Sequence, residues 1–184
     1  MHPKVQNLMR AAEIAGLPFI YDGSDVKAGD FGLYDDPGLP QLEHSLQRFP
    51  NLTILGHGPV FWAEIARLET PGERGFVFAF KKEEQVGMLN SGPIKEEGVV
   101  PKLLRRYPNL HLDLSDGTCY NALTRDEDFG TAFLMEFQDR AYFGTDFCNT
   151  DFSDCALASK LKEWRDNGRI SKEAFEKIER ENAI

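Results

Sequence analysis

The sequence lacks a basic excess, a long apolar run and the cysteines of a disulfide framework. Its formal net charge is −9, whereas a surface that grips phosphates needs a basic field, which argues against sequence-independent nucleic-acid binding. The one concentrated basic stretch, KLLRRYP at 102–108, reads as the solvated face of a helix. No run approaches the roughly 20 apolar residues of a membrane span, so no membrane partner is expected. The three cysteines, Cys119, Cys148 and Cys155, cannot all pair within one chain, which favours a reducing compartment. CNTDFSDC spaces two of them more widely than a usual zinc pair. The opening MHPKVQNLMRAAEIAG lacks the apolar segment and cleavage site of a secretory signal, and a cytoplasmic location is expected. A Gly-rich phosphate loop is also missing, so nothing supports nucleotide binding.

What is there is an alternation of helical and extended patterns. With 184 residues, 41% of them apolar, the chain can bury a core and is expected to form a single domain, 1–184. Val5, Leu8, Met9, Ala12 and Ile14 predict a helix over 3–15 that stops at Gly16. LPFIY (17–21) predicts a strand, and Leu39, Leu42, Leu46 and Phe49 predict a helix with Pro40 in its first turn. LTILG then predicts a second strand, followed by helices at 61–68 and 99–107. Residues 69–98, between them, are too long for a structureless loop and are expected to be an insertion or lid, with FVFAF as a strand or hairpin. LHLDLS (110–115) and AYFGTDF (141–147) predict two more strands around a helix at 126–137. Helices at 153–166 and 171–182 close the chain, the last capped by Ser171. Such alternation implies parallel strands joined by crossover helices. The phrase RFPNLTIL is echoed by RYPNLHLDL, as expected of a shared helix-to-strand connection.

Two strand ends carry residues suited to chemistry. LTILGHG (52–58) closes an apolar run on Gly56 and His57, and YFGTDF (142–147) closes on Gly144, Thr145 and Asp146. Strands tipped in this way point to a site at the carboxyl ends of a parallel sheet. Of the four histidines, only His57 sits at a strand end beside glycine. Taken singly, His57 reads as a satisfied structural histidine and Asp146 as a turn cap. Together, an imidazole and a carboxylate on one sheet edge are donors for zinc or another divalent ion. DGTCYNALTRD (116–126) is expected at the pocket rim. There Arg125 either clamps a substrate carboxylate or pairs with Asp126 or Asp128, and Tyr120 and Asn121 touch the substrate. Trp62 either lines the pocket or joins the core.

FPNLTILGHG, YPNLHLDLS and YFGTDF, in that order, resemble the second half of the metal-dependent amidohydrolase superfamily, the amidohydrolase-2 type of TIM-barrel hydrolases and decarboxylases. GLYDDPGLPQLEHSLQRFPNL, FWAEI and YNALTRD fit the same pattern, and the resemblance runs from Lys4 to Asn182. It implies an α/β fold: a partial TIM (β/α)8 barrel of about four parallel βα units, corresponding to the fifth to eighth strands. It also implies that His57 and Asp146 are metal ligands, and that Asp146 accepts a proton from metal-activated water. The implied cofactor is a divalent metal, zinc or manganese. The implied substrate is a small carboxylate- or amide-bearing molecule, hydrolysed or decarboxylated. Two departures bear on this. The family's first strand carries a His-x-His pair, which this sequence lacks, and the strand-five histidine position falls on Asp22. Asp22 either substitutes as a metal ligand or marks loss of the site.

A complete eightfold barrel takes about 250 residues, so the chain is expected to need an N-terminal half or a second copy, and to be inactive alone. Two other readings compete: a non-catalytic half-barrel binding or assembly module, and an unrelated doubly wound α/β domain, which would reverse strand order at a switch point.

Overall fold

The computed structural model describes residues 1–24, 32–69, 90–147 and 155–183. FVFAF and most of CNTDFSDC lie outside them, as does the start of the helix expected from residue 153. The order of elements is α1 (Pro3–Ala15), β1 (Phe19–Ser24), β2 (Leu33–Tyr34), α2 (Pro40–Arg48), β3 (Ile54–His57), α3 (Gly58–Ala63), α4 (Val99–Arg106), β4 (Leu110–Leu114), α5 (Asp116–Thr124), α6 (Glu127–Glu136), β5 (Ala141–Phe143), α7 (Ala156–Asp166) and α8 (Lys172–Glu179). Their boundaries have local causes. Gly16 takes φ 66° and ends α1 by donating to the Ala12 and Glu13 carbonyls, a left-handed stop that glycine adopts without steric cost. Asp126 caps α6 through the Phe129 N–H, and Ser171 caps α8 through that of Ala174. None of the helices among the described residues is long and apolar enough to cross a membrane.

All five strands are parallel, in the order β2-β1-β3-β4-β5. The four strands expected from the sequence therefore run side by side in chain order, with the two-residue β2 added outside β1. Counted whole, this is the order of one doubly wound fold, but the connection from β1 to β2 is short. Only residues 25–32 separate the two strands, fewer than the dozen or so that a helical crossover needs.

The faces of the sheet are unequal. Tyr21, Ile54, Gly56, Leu110, Leu112, Leu114 and Ala141 are buried, and the apolar ones among them join one core with side chains of every helix, among them Met9, Leu42, Phe61, Leu104, Leu123, Leu134, Trp164 and Phe175. Their alternating neighbours Ile20, Asp22, Leu55, His57, His111, Asp113 and Tyr142 are half-buried or exposed. Paired residues of neighbouring strands share a face and successive residues alternate, so these seven form the second face. The strand order accounts for this: parallel units that step repeatedly in one direction, with the right-handed crossovers that such units follow, put their helices on the same side. A doubly wound sheet would bury both faces.

The echoed turns are fastened alike. The Asn109 amide donates to the carbonyls of Leu46, Phe49 and Leu52, and the Arg140 guanidinium donates to those of Leu104, Tyr107 and Leu110. Asn182 does the same for Gln138 and Ala141. Each unit thus satisfies the carbonyls left over where the previous helix turns into its strand. At the other end of α4, an antiparallel bridge between Ala66 and Glu97 holds together the ends of the 69–98 segment.

Several boundaries, and one element, differ from expectation. The last strand stops at Phe143: the Gly144 N–H still donates to the Leu114 carbonyl, but Asp146 turns at φ 53°. The helix expected at 61–68 is instead Gly58–Ala63: it begins at Gly58, whose φ of 83° swings the chain directly out of β3, and stops at the Glu64 C-cap. Residues 116–124 form a helix, α5, that weak apolar periodicity and poor helix formers such as Gly117 and Thr118 concealed.

Candidate functional site

The carboxyl ends of β1, β3 and β4 bring together Asp22, His57, Asp113, Ser115 and Asp116. Asp22 is the register partner of His57, so both side chains leave the second face together. Close approach between them needs Gly58, where a Cβ would overlap Asp22 Oδ1. His57 Nδ1 lies 3.1 Å from Asp113 Oδ2 and 3.2 Å from Ser115 Oγ. Its Nε2 faces Asp116 Oδ2 at 3.9 Å. Asp116 is held by its other oxygen, which accepts from the Thr118 and Cys119 N–H groups and the Thr118 hydroxyl at the start of α5.

The charges in this cluster are strongly coupled. Burial alone would lower the His57 pKa, but its hydrogen bond to Asp113 and the charges of Asp113, Asp116 and Asp22 raise it to about 9. Burial raises the Asp22 carboxyl; His57 opposes this, while Asp116 and Asp146 add to it. Asp116 is raised by burial against the pull of its Thr118 and Cys119 hydrogen bonds. At neutral pH the imidazole is therefore a cation held among carboxylates, and it must give up a proton before it can ligate a metal.

The expected site residues divide into two groups. His57 and Asp22 stand together, and Asp146 lies at the rim, exposed but close enough to act electrostatically on Asp22. Among the described residues, no group of three or more His, Cys, Asp or Glu side chains is arranged to hold a metal ion. The donor chemistry suits a divalent cation, but these donors do not make a complete catalytic site, which takes three protein ligands and an open position.

The second group stands elsewhere. Trp62 is 1% exposed in the core, edge-on to Phe61 and Phe133. Tyr120, Asn121 and Arg125 ride on α5, which carries Arg125 about 13 Å along the helix axis from Asp116. Tyr120 packs against the core, Asn121 donates to the Asn90 carbonyl, and Arg125 reaches that of Gly92. Arg125 borders a depression of ≈730 Å³ with Arg67, Asn90, Ile94 and Lys95, while Asp128 is taken by Arg169.

Asp113, Ser115 and Asp116 were not anticipated from the sequence. The alternation in LHLDLSD, which places His111, Asp113 and Ser115 on one face, is the signal that could have found the first two. No protein-family model, curated protein or solved structure matches the chain.

Proposed function

We propose that this chain is the second half of an amidohydrolase-type barrel and supplies a half-site for hydrolysis of a small carboxylate- or amide-bearing molecule. The observation that carries the reading is the polar row Asp22, His57 and Asp113 at the carboxyl ends of consecutive parallel strands, on the face opposite the core that the described helices share. A barrel places its helices outside, its strands in sequence and its chemistry at that edge. The inner face of half a barrel would carry no helix, and none of the described helices packs its core side chains against this one. On this reading Asp146, at the rim, takes the proton of the attacking water. The donors among the described residues do not complete a site for the zinc or manganese ion that the resemblance implies, and on this reading the remaining ligands come from a complementary half. The same incompleteness favours a second reading, a half barrel kept for binding or assembly without catalysis.

Metal content by elemental analysis and turnover of a carboxylate and amide panel separate the two. The chain alone is expected to hold divalent metal weakly and to turn over nothing. With a completing half that carries a His-x-His strand, supplied as an N-terminal extension or in trans, both stoichiometric metal and turnover should appear. Their continued absence in a folded complex would favour the assembly module. Tight metal and turnover in the chain alone would refute the half-site.

A further inference from the structure

We propose that the outer face of α1 is the contact between two copies of this chain, which pack there antiparallel about a two-fold axis through Ala11. The proposal goes beyond the hydrolase reading and does not rest on it.

The face stands out among the described residues. Their exposed large apolar side chains are Leu8, Ile14, Leu17, Ile20 and Phe147, and the first three fall on α1 and the turn that leaves it. Leu8 is 62%, Ile14 80% and Leu17 60% exposed. At about 100° per residue, Leu8, Ala11, Ala15 and Ile14 lie within about 120° of the helix circumference, and all four are exposed. The opposite side of α1 meets the protein: Met9 is buried, and Val5 and Ala12 pack against the core. Large apolar side chains that gather on one exposed face mark a contact surface.

Charge and shape say what covers it. α1 has no acidic residue in its first turn and no basic residue in its last. Each other helix of eight or more residues among the described ones has at least one of the two. The first turn of α1 instead carries Lys4, exposed on the same arc, where the positive end of the helix disfavours a cation. Arg10, the other cation of the helix, is taken by Glu13 and the Phe49 ring. An antiparallel copy of α1 relieves the misfit: Lys4 of each chain comes alongside the negative end of the other helix, and the two dipoles oppose. The apolar positions match in the same alignment. With Ala11 on the axis, Leu8 of one chain faces Ile14 of the other, and the small side chain at the centre lets the helices approach. Such a patch is its own complement, as a two-fold interface requires. A parallel alignment would set Lys4 against Lys4.

Sedimentation equilibrium of the full chain tests this. The wild type should dimerise over roughly 1–100 µM, as suits a single-helix contact at the small end of specific interfaces. Leu8→Glu and Ile14→Lys, each checked for folding by circular dichroism, should each weaken the dimer at least about tenfold by setting a charge against an apolar side chain. The two substitutions combined place opposite charges across the axis at both contacts and should recover most of that loss. Where a charged variant fails to fold, glutamine at the same position replaces it, and a weaker dimer is again expected. A chain still monomeric at about 1 mM, the concentration that marks very weak binding, would overturn the proposal. So would a dimer indifferent to either single substitution, or a double variant no better than the singles. Loss of the dimer when the completing half is present would overturn it as well, since the face would then belong to that half.

Discussion

Gly58 stands between Asp22 and the first turn of α3 at φ 83°, in contact with the carboxylate it admits. Gly58→Ala meets two obstacles, the left-handed backbone and the overlap with Asp22 Oδ1. It should cost at least about 1 kcal/mol in denaturant unfolding and displace Asp22 from His57; an unchanged midpoint would show that the backbone relaxes there. His111 offers a test by pH. Burial and the Arg140 charge lower its pKa to about 4, against the pull of the Pro108 carbonyl, and its Nδ1 lies 3.0 Å from the Tyr142 hydroxyl. The native state thus resists protonating a group that the unfolded chain protonates near 6.5. The stability this represents is present above about pH 6.5 and lost as pH falls towards 4, at no more than about 1.4 kcal/mol per pH unit. Chemical denaturation across that range should show a shallower loss for His111→Gln than for the wild type. Parallel curves would mean that His111 titrates alike in both states.

At the scale of elements, stability depends on how each helix passes into its strand. Asn109→Ala leaves the Leu46, Phe49 and Leu52 carbonyls without their side-chain donor and should destabilise the chain by about 1–3 kcal/mol. A midpoint within error of the wild type in urea would show that water replaces the amide. The echo of FPNL in YPNL made these connections legible, though not their partners, because the donor for each turn comes from the following unit. Strong periodicity likewise made α1, α2, α4 and α8 legible. It could not reveal α5, where Asp116 and its hydrogen bonds to Thr118 and Cys119 start a helix in a poor sequence, nor the two-residue β2, which exists only by pairing with Gly23 and Ser24. His57 could be read from its strand-end position next to glycine. Asp113 was hidden inside an ordinary alternation, since a half-buried aspartate in a strand looks the same whether it meets solvent or an imidazole on the neighbouring strand.

For the whole molecule, sequential parallel strands leave, among the described residues, a sheet with one face packed on the helices and a second face that is half-buried or exposed. The order of elements in the sequence carried the first half of this conclusion, the parallel sheet. The second half depended on which way each crossover steps, which no local pattern encodes. That second face holds the polar row at its carboxyl edge and Ile20, 58% exposed, below it; an apolar side chain so placed is a natural contact for a completing half. The most direct measurement is thiol labelling of folded Ile20→Cys, read site by site by mass spectrometry, with native Cys119 as internal reference. Cys119 is 0% exposed and burial raises its thiol pKa well above the usual range, so it should stay protected. The thiol introduced at position 20 should react at least about 100-fold faster, at a rate approaching that of the unfolded chain. Protection of that thiol to the level of Cys119 would mean that the face is covered, and would contradict the half-barrel reading of this chain.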